Sequence, residues 1–269
     1  MTKSHRSRAG FTIIELSIVV VILGLLTGGI LMGQSLIRSA EIRSVISDYQ
    51  KYSSAVKQFR DQYNALPGNM ANATSVWGRL NSNADCITNS GAAINGADGT
   101  CDGSGNGGVA GIWPLAAGKS GETFQFWRQL KLAGMIVGNF TGVSVGAETL
   151  KGYPGINVPT SRIRNSGWGA RSMGVYAGDT VVFAADYGNM FTFGVASPFD
   201  DCPNEPALTP QEAWQLDTKM DDGKPGTGKV ITRYWNNACA TAASNTDYSA
   251  SYNLSGNGNQ CAFYFPHSI

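Results

Sequence analysis

Glu15 is the one charged residue between Phe11 and Ile37, in a run that is otherwise apolar or small. A carboxylate inside a bilayer helix costs on the order of 3 kcal/mol, less near the helix end, and usually has a partner. A plain anchor has no use for it. A second acidic grouping runs from Asp217 to Gly223, where Asp217, Asp221 and Asp222 stand close together. Clustered carboxylate oxygens suit calcium, which takes at least six oxygen ligands. The EF-hand pattern fails at Lys219 and lacks its distant Glu. The competing reading is a helix end followed by a solvated turn, with Asp222-Gly223 as turn chemistry. Asp98 to Gly103 hints at another calcium loop, but Val109 occupies the place of the bidentate acid.

Catalytic groupings are sparse. The histidines are His5 and His267, so a Ser-His-Asp or Cys-His site would rest on His267. A histidine-rich metal site is impossible. Asp200-Asp201 pairs two acids, but adjacent residues usually point apart. Gly103 to Gly108 matches G-x-G-x-x-G without a preceding strand or a following helix, so it reads as a loop. Gly223 to Lys229 nearly matches a P-loop, but Val230 stands where the magnesium-binding hydroxyl belongs. The chain reads as a non-enzyme without a catalytic site or a certain cofactor; calcium at Asp217, Asp221 and Asp222 is a metal candidate beside the solvated-turn reading.

The elements that carry these residues follow from periodicity. A helix over 11–37 spans about 40 Å, enough for a hydrocarbon core of roughly 30 Å. Lys3, Arg6 and Arg8 precede it, which puts the N-terminus in the cytoplasm and the rest of the chain across the membrane. The run is too long for the core of a secretory signal peptide. An uncleaved anchor fits everything except Glu15 and the Gly10-Phe11 junction. Beyond Ile37 the helix continues, because Ile42, Val45, Tyr49, Tyr52, Val56, Phe59 and Tyr63 recur three and four residues apart. That stripe packs on the chain's own domain or in a coiled coil; its short extent favours the first. Pro67-Gly68 is the expected stop.

Phe124 to Met135 reads as a short helix with Ser120 as N-cap and Gly134 as stop. Phe124, Trp127 and Leu130 face the core. Strands are expected over Met173–Ala177, Thr180–Ala185, Met190–Val195 and Val230–Trp235, the first three forming an antiparallel meander. Gln211–Met220 is a further helix candidate. Asn81–Gly111 and Ser244–Gln260 read as loops. Charged residues are 14% of the chain, below the usual ~25%, and net charge is +1. No basic stripe indicates nucleic acid. Five cysteines fit an oxidising compartment, with Cys86 and Cys101 bracketing one Gly-rich stretch and Cys239 and Cys261 another. Local pairing leaves Cys202 over, and spacing alone does not fix connectivity.

Gly10-Phe11-Thr12-Ile13-Ile14-Glu15, behind a basic leader and ahead of an apolar helix, resembles the processing signal of type IV pilins and type II secretion pseudopilins. The resemblance implies cleavage between Gly10 and Phe11 by a prepilin peptidase that also methylates the new Phe11 amine. It implies that Glu15 pairs with the Phe11 amine of a neighbouring subunit and sets register in a filament. Met32 stands where many members have a helix-breaking proline. The implied organisation is a leader over 1–10, a spine helix over 11–66 whose first part (11–37) spans the membrane, and an exported domain over 67–269. The implied fold is α+β, with the amphipathic half of the helix packed on an antiparallel β-sheet and long disulfide-closed loops. The family favours Cys239–Cys261. The implied partners are the peptidase, like subunits and inner-membrane assembly machinery. The implied location is the inner membrane before assembly and a periplasmic or extracellular filament afterwards. Pilus subunit, secretion pseudopilin and uncleaved periplasmic binding domain remain the alternatives.

Overall fold

The computed structural model describes residues 11–80, 99–111, 121–144, 151–198 and 200–269. Apolar spacing sets the first element, helix α1 (Ile13–Tyr63), which runs unbroken past Gly28, Gly29, Met32 and Gly33. It stops at Asn64, whose φ of 49° is left-handed and whose N–H closes on Arg60 O. Asparagine tolerates that conformation at a helix end, so the helix ends before the expected Pro67-Gly68. The chain divides into two units, Met1–Glu41 and Ile42–Ile269.

In the second unit the order is α1 (its part from Ile42), α2 (Ala73–Trp77), α3 (Glu122–Leu132), β1 (Ser166–Ser172), β2 (Val175–Tyr176), β3 (Ala185–Asp186) and β4 (Asn189–Val195). Then come α4 (Pro210–Met220), β5 (Ile231–Thr232), β6 (Ala240–Thr241), β7 (Ser251–Tyr252) and β8 (Phe263–Phe265). The main sheet has the order β1-β4-β8-β5, all antiparallel, with two-stranded ribbons β2-β3 and β6-β7 beside it. The class is α+β.

The expected meander needs correction. β2 and β3 pair as a hairpin, but β4 pairs with β1 and β8 instead of β3. Strand β1 (Ser-Gly-Trp-Gly-Ala-Arg-Ser) was not anticipated, because glycines depress strand propensity. Gly169 stands there because a Cβ would run into Thr192 Oγ1 and the Cys202 side chain. Ser251–Tyr252 falls in a stretch expected to be loop, yet pairs with β6.

Period-two alternation divides the sheet between two cores. Trp168 and Ala170 of β1, Phe191 and Phe193 of β4, and Phe263 and Phe265 of β8 face the α1 side. Met190, Ile231 and Tyr264 face the other side with Val182, Phe183 and Tyr187. Tyr52 carries the α1 stripe into the first core, with its ring 5.0 Å from Trp127 and 5.7 Å from Trp168. The α1 stripe therefore packs on its own domain. Ile42, Val45, Tyr52, Val56 and Phe59 are buried and Tyr49 and Tyr63 half-buried, while Arg43, Lys51, Lys57 and Arg60 are exposed.

α3 begins at Glu122 with Gly121 as N-cap; Ser120, expected in that role, lies outside the described residues. Its end is a Schellman motif on Gly134 (φ 73°), in which Gly134 N–H bonds Lys131 O and Met135 N–H bonds Leu130 O. Phe124, Trp127 and Leu130 are fully buried, as expected. α4 opens on a capping box, Thr209 with Glu212, behind Pro210 at the first helical position.

Candidate functional site

The first turn of α1 is built by Thr12-Ile13-Ile14-Glu15. Thr12 N–H and Thr12 Oγ1 both donate to Glu15 Oε2 at 2.8 Å, and Glu15 N–H donates back to Thr12 Oγ1 at 3.2 Å. This is a capping box: two backbone donors without helical partners are satisfied by two side chains three residues apart. The sequence signal T-x-x-E was available, and Thr12 is the site residue that sequence reasoning missed. Glu15 also meets the positive end of the helix dipole. Beside it Phe11 is 92% exposed. Leu16, Ile18 and Val19 form an apolar wall next to the carboxylate. The side chains from Phe11 to Met32 are all exposed, and α1 is long and apolar enough there to cross a membrane. Gly10 and the leader lie outside the described residues.

Cys239 and Cys261 form a disulfide that ties the start of β6 to the approach of β8. Cys101 is disulfide-bonded, and its expected partner Cys86 lies outside the described residues. Cys202 is a free buried thiol, and burial pushes it well above its ordinary range.

Asp217, Asp221 and Asp222 do converge, with one carboxylate oxygen from each within 4.8 Å of the others. They also order their own loop. Asp217 accepts from Tyr252 Oη at 2.7 Å and from Gly223 N–H at 3.3 Å. Asp221 accepts from Lys229 N–H, and Asp222 from Lys224 N–H and Thr227 Oγ1, both at 2.8 Å. Calcium would share oxygens already taken by these donors. Burial pushes the Asp217 carboxyl up to about 7, against the lowering effect of the Tyr252 hydroxyl. The near-P-loop is thus the turn that these carboxylates hold.

The Gly-rich stretch Gly103–Gly108 wraps a carboxylate of its own chain. Glu122 is buried; its Oε1 accepts from Ser104 N–H at 2.6 Å and its Oε2 from Ala110 N–H at 2.7 Å. The Asn69 amide donates to Glu122 Oε1 at 3.0 Å, while Asn69 Oδ1 accepts from Gly107 N–H at 2.8 Å. Asp102 accepts from Thr74 N–H at 2.7 Å and so caps the first turn of α2. Asp98 lies outside the described residues. His267 Nε2 stands 3.6 Å from Asp186 Oδ2, and both side chains are largely exposed. Asp200 and Asp201 do not point apart: both face Arg171 Nη1, at 2.6 and 3.5 Å.

Residues 5–31 match the family described as the prokaryotic N-terminal methylation motif. No curated protein and no solved structure proved significantly similar to the chain. The match covers the leader end, the Gly10-Phe11 junction, Glu15 and most of the apolar run. The chain carries the signature of the prepilin-type signal shared by type IV pilins and pseudopilins, a signal of structural subunits. With the apolar helix, the motif implies membrane anchoring before assembly and processing by a prepilin peptidase.

Proposed function

We propose that this protein is a structural subunit of a type IV pilus or pilus-like filament, assembled through α1 after cleavage between Gly10 and Phe11. The observation that carries the reading is the bare apolar surface of α1 from Phe11 to Met32, with Glu15, which lies inside the matched motif, as its one charge. Before assembly the lipid covers that surface, with the N-terminus on the cytoplasmic face of the inner membrane. In the filament the same helices of neighbouring subunits replace the lipid.

Glu15 is then the register device. Cleavage creates a cationic amine at Phe11, and Glu15 of a neighbour is the carboxylate that can neutralise it. Pairing offsets the desolvation of both charges and favours one axial offset over others. A pseudopilin of a type II secretion system would use the same steps, and the surface of the exported domain would set its partners. The test is Glu15→Ala measured in the native assembly system. Membrane insertion and leader removal should stay at wild-type level while sheared-filament yield falls at least tenfold. A normal yield removes the role assigned to Glu15.

A further inference from the structure

On the sheet face turned away from the α1 stripe, Arg171, Tyr264 and Arg233 border a cleft of about 710 Å³. The segment between β2 and β3 forms one wall, and Glu205 and Trp235 stand on the others. That volume falls within the range of roughly 300–1,000 Å³ usual for small-ligand sites. Nothing in the N-terminal assembly reading uses this cleft.

The charges in the cleft are answered within the protein. Arg171 Nη1 is held by Asp200 and Asp201, and Arg233 Nη1 pairs with Glu205 and donates to Asn204 O at 3.2 Å. Asp179 accepts from the N–H groups of Val181 and Val182 on one oxygen and from the Tyr176 hydroxyl on the other. An anionic ligand would meet guanidinium groups already paired with carboxylates. Hydroxyl groups can share such pairs, because a guanidinium has five N–H donors and a carboxylate about four lone-pair sites. These planar pairs are fixed in direction, and hydrogen bonds to them are charge-assisted.

Beside them stands an aromatic plate. The Arg233 guanidinium lies 4.9 Å from the Trp235 ring centroid, and Trp235 remains 45% exposed. The guanidinium fixes one side of the indole, while the exposed part offers apolar area next to polar forks. A pyranose has the matching surface: a C–H face for an aromatic ring and a rim of hydroxyls for planar donors and acceptors. We propose that this cleft binds a neutral saccharide, with the exposed part of Trp235 against the C–H face of the sugar and the partly exposed Asp200 and Glu205 carboxylates accepting from its hydroxyls.

The test uses the full chain in lipid nanodiscs, without sugar-headed detergents. Saturation-transfer NMR is run against methyl glucosides, galactosides and mannosides, chitobiose and N-acetylneuraminic acid. At least one neutral sugar should receive saturation, and Trp235→Ala should weaken its binding about tenfold with an unchanged melting temperature. Glu205→Gln, which leaves Arg233 without its counter-charge, should shift preference toward N-acetylneuraminic acid. Saturation of the acidic sugar alone in the unmodified chain, saturation of none, or unchanged affinity in Trp235→Ala would each overturn the proposal. Filament assembly is not read in this experiment, so its failure is separate from any failure of the assembly reading.

Discussion

Thr12 and Glu15 satisfy each other across the first turn of α1: the threonine N–H and hydroxyl hold one carboxylate oxygen, and the glutamate N–H returns to the hydroxyl. The carboxylate thus has donors within its own subunit before any neighbour arrives, which lowers the cost of keeping it in the membrane. Thr12→Val deletes the hydroxyl and should weaken the helix start by about 1 kcal/mol. Thr12→Ser keeps it. Filament yield relative to the membrane pool, read by immunoblot, should be near wild type for Thr12→Ser and clearly reduced for Thr12→Val. Equal yields for the two variants would show that the hydroxyl is irrelevant to assembly.

The buried Glu122 carboxylate organises the Gly-rich loop with Asn69. Glu122→Gln replaces one acceptor oxygen by an amide donor facing a backbone N–H. Loss of one charge-assisted bond should cost about 2 kcal/mol, and Glu122→Ala more, since several donors then lose their acceptor. Urea unfolding measures both. A change below about 0.5 kcal/mol for Glu122→Gln would mean that the loop rearranges without cost.

Burial pushes the Asp200 carboxyl up to about 7 despite Arg171, and neighbouring Asp201 adds to the rise. An unfolded aspartate titrates near 4. The folded state therefore binds this proton more tightly. Its contribution to stability is complete below about pH 4 and is lost as pH rises through about 7. Asp200→Asn removes that dependence while leaving an acceptor for Arg171. Between pH 5 and 8 the urea midpoint of the unmodified protein should fall more steeply than that of Asp200→Asn. Parallel slopes would contradict the shift.

The Cys239–Cys261 bond closes a loop with a sequence separation of 22. In the chain-entropy model, losing it costs about 3 kcal/mol. Replacing both cysteines by serine should lower the unfolding midpoint by a corresponding amount, and adding reductant should then have less effect than on the unmodified protein. An unchanged midpoint would show that β6 and β8 are held by packing alone.

The helices were legible because their signals are local. The α1 stripe repeats every three or four residues, and Gly134 stops α3 as a left-handed cap. The prepilin-type signal was legible for the same reason, since Gly10, Phe11 and Glu15 lie within one short stretch. Strand β1 was not, because Gly167 and Gly169 answer a close approach of distant chain segments that no local pattern records. The Glu122 cradle joins residues far apart in sequence, as does the cleft between Arg171, Glu205, Arg233 and Trp235. The convergence of Asp200 and Asp201 on Arg171 likewise depends on β1, the strand that sequence reasoning missed.

Processing to a filament subunit leaves a direct trace in the N-terminus and intact mass of the chain recovered from native membranes and sheared filaments. The chain should begin at N-methylated Phe11 in both fractions. A chain that still begins near Met1, in cells that contain an active prepilin peptidase, would make this a tethered domain and remove the assembly role of Glu15.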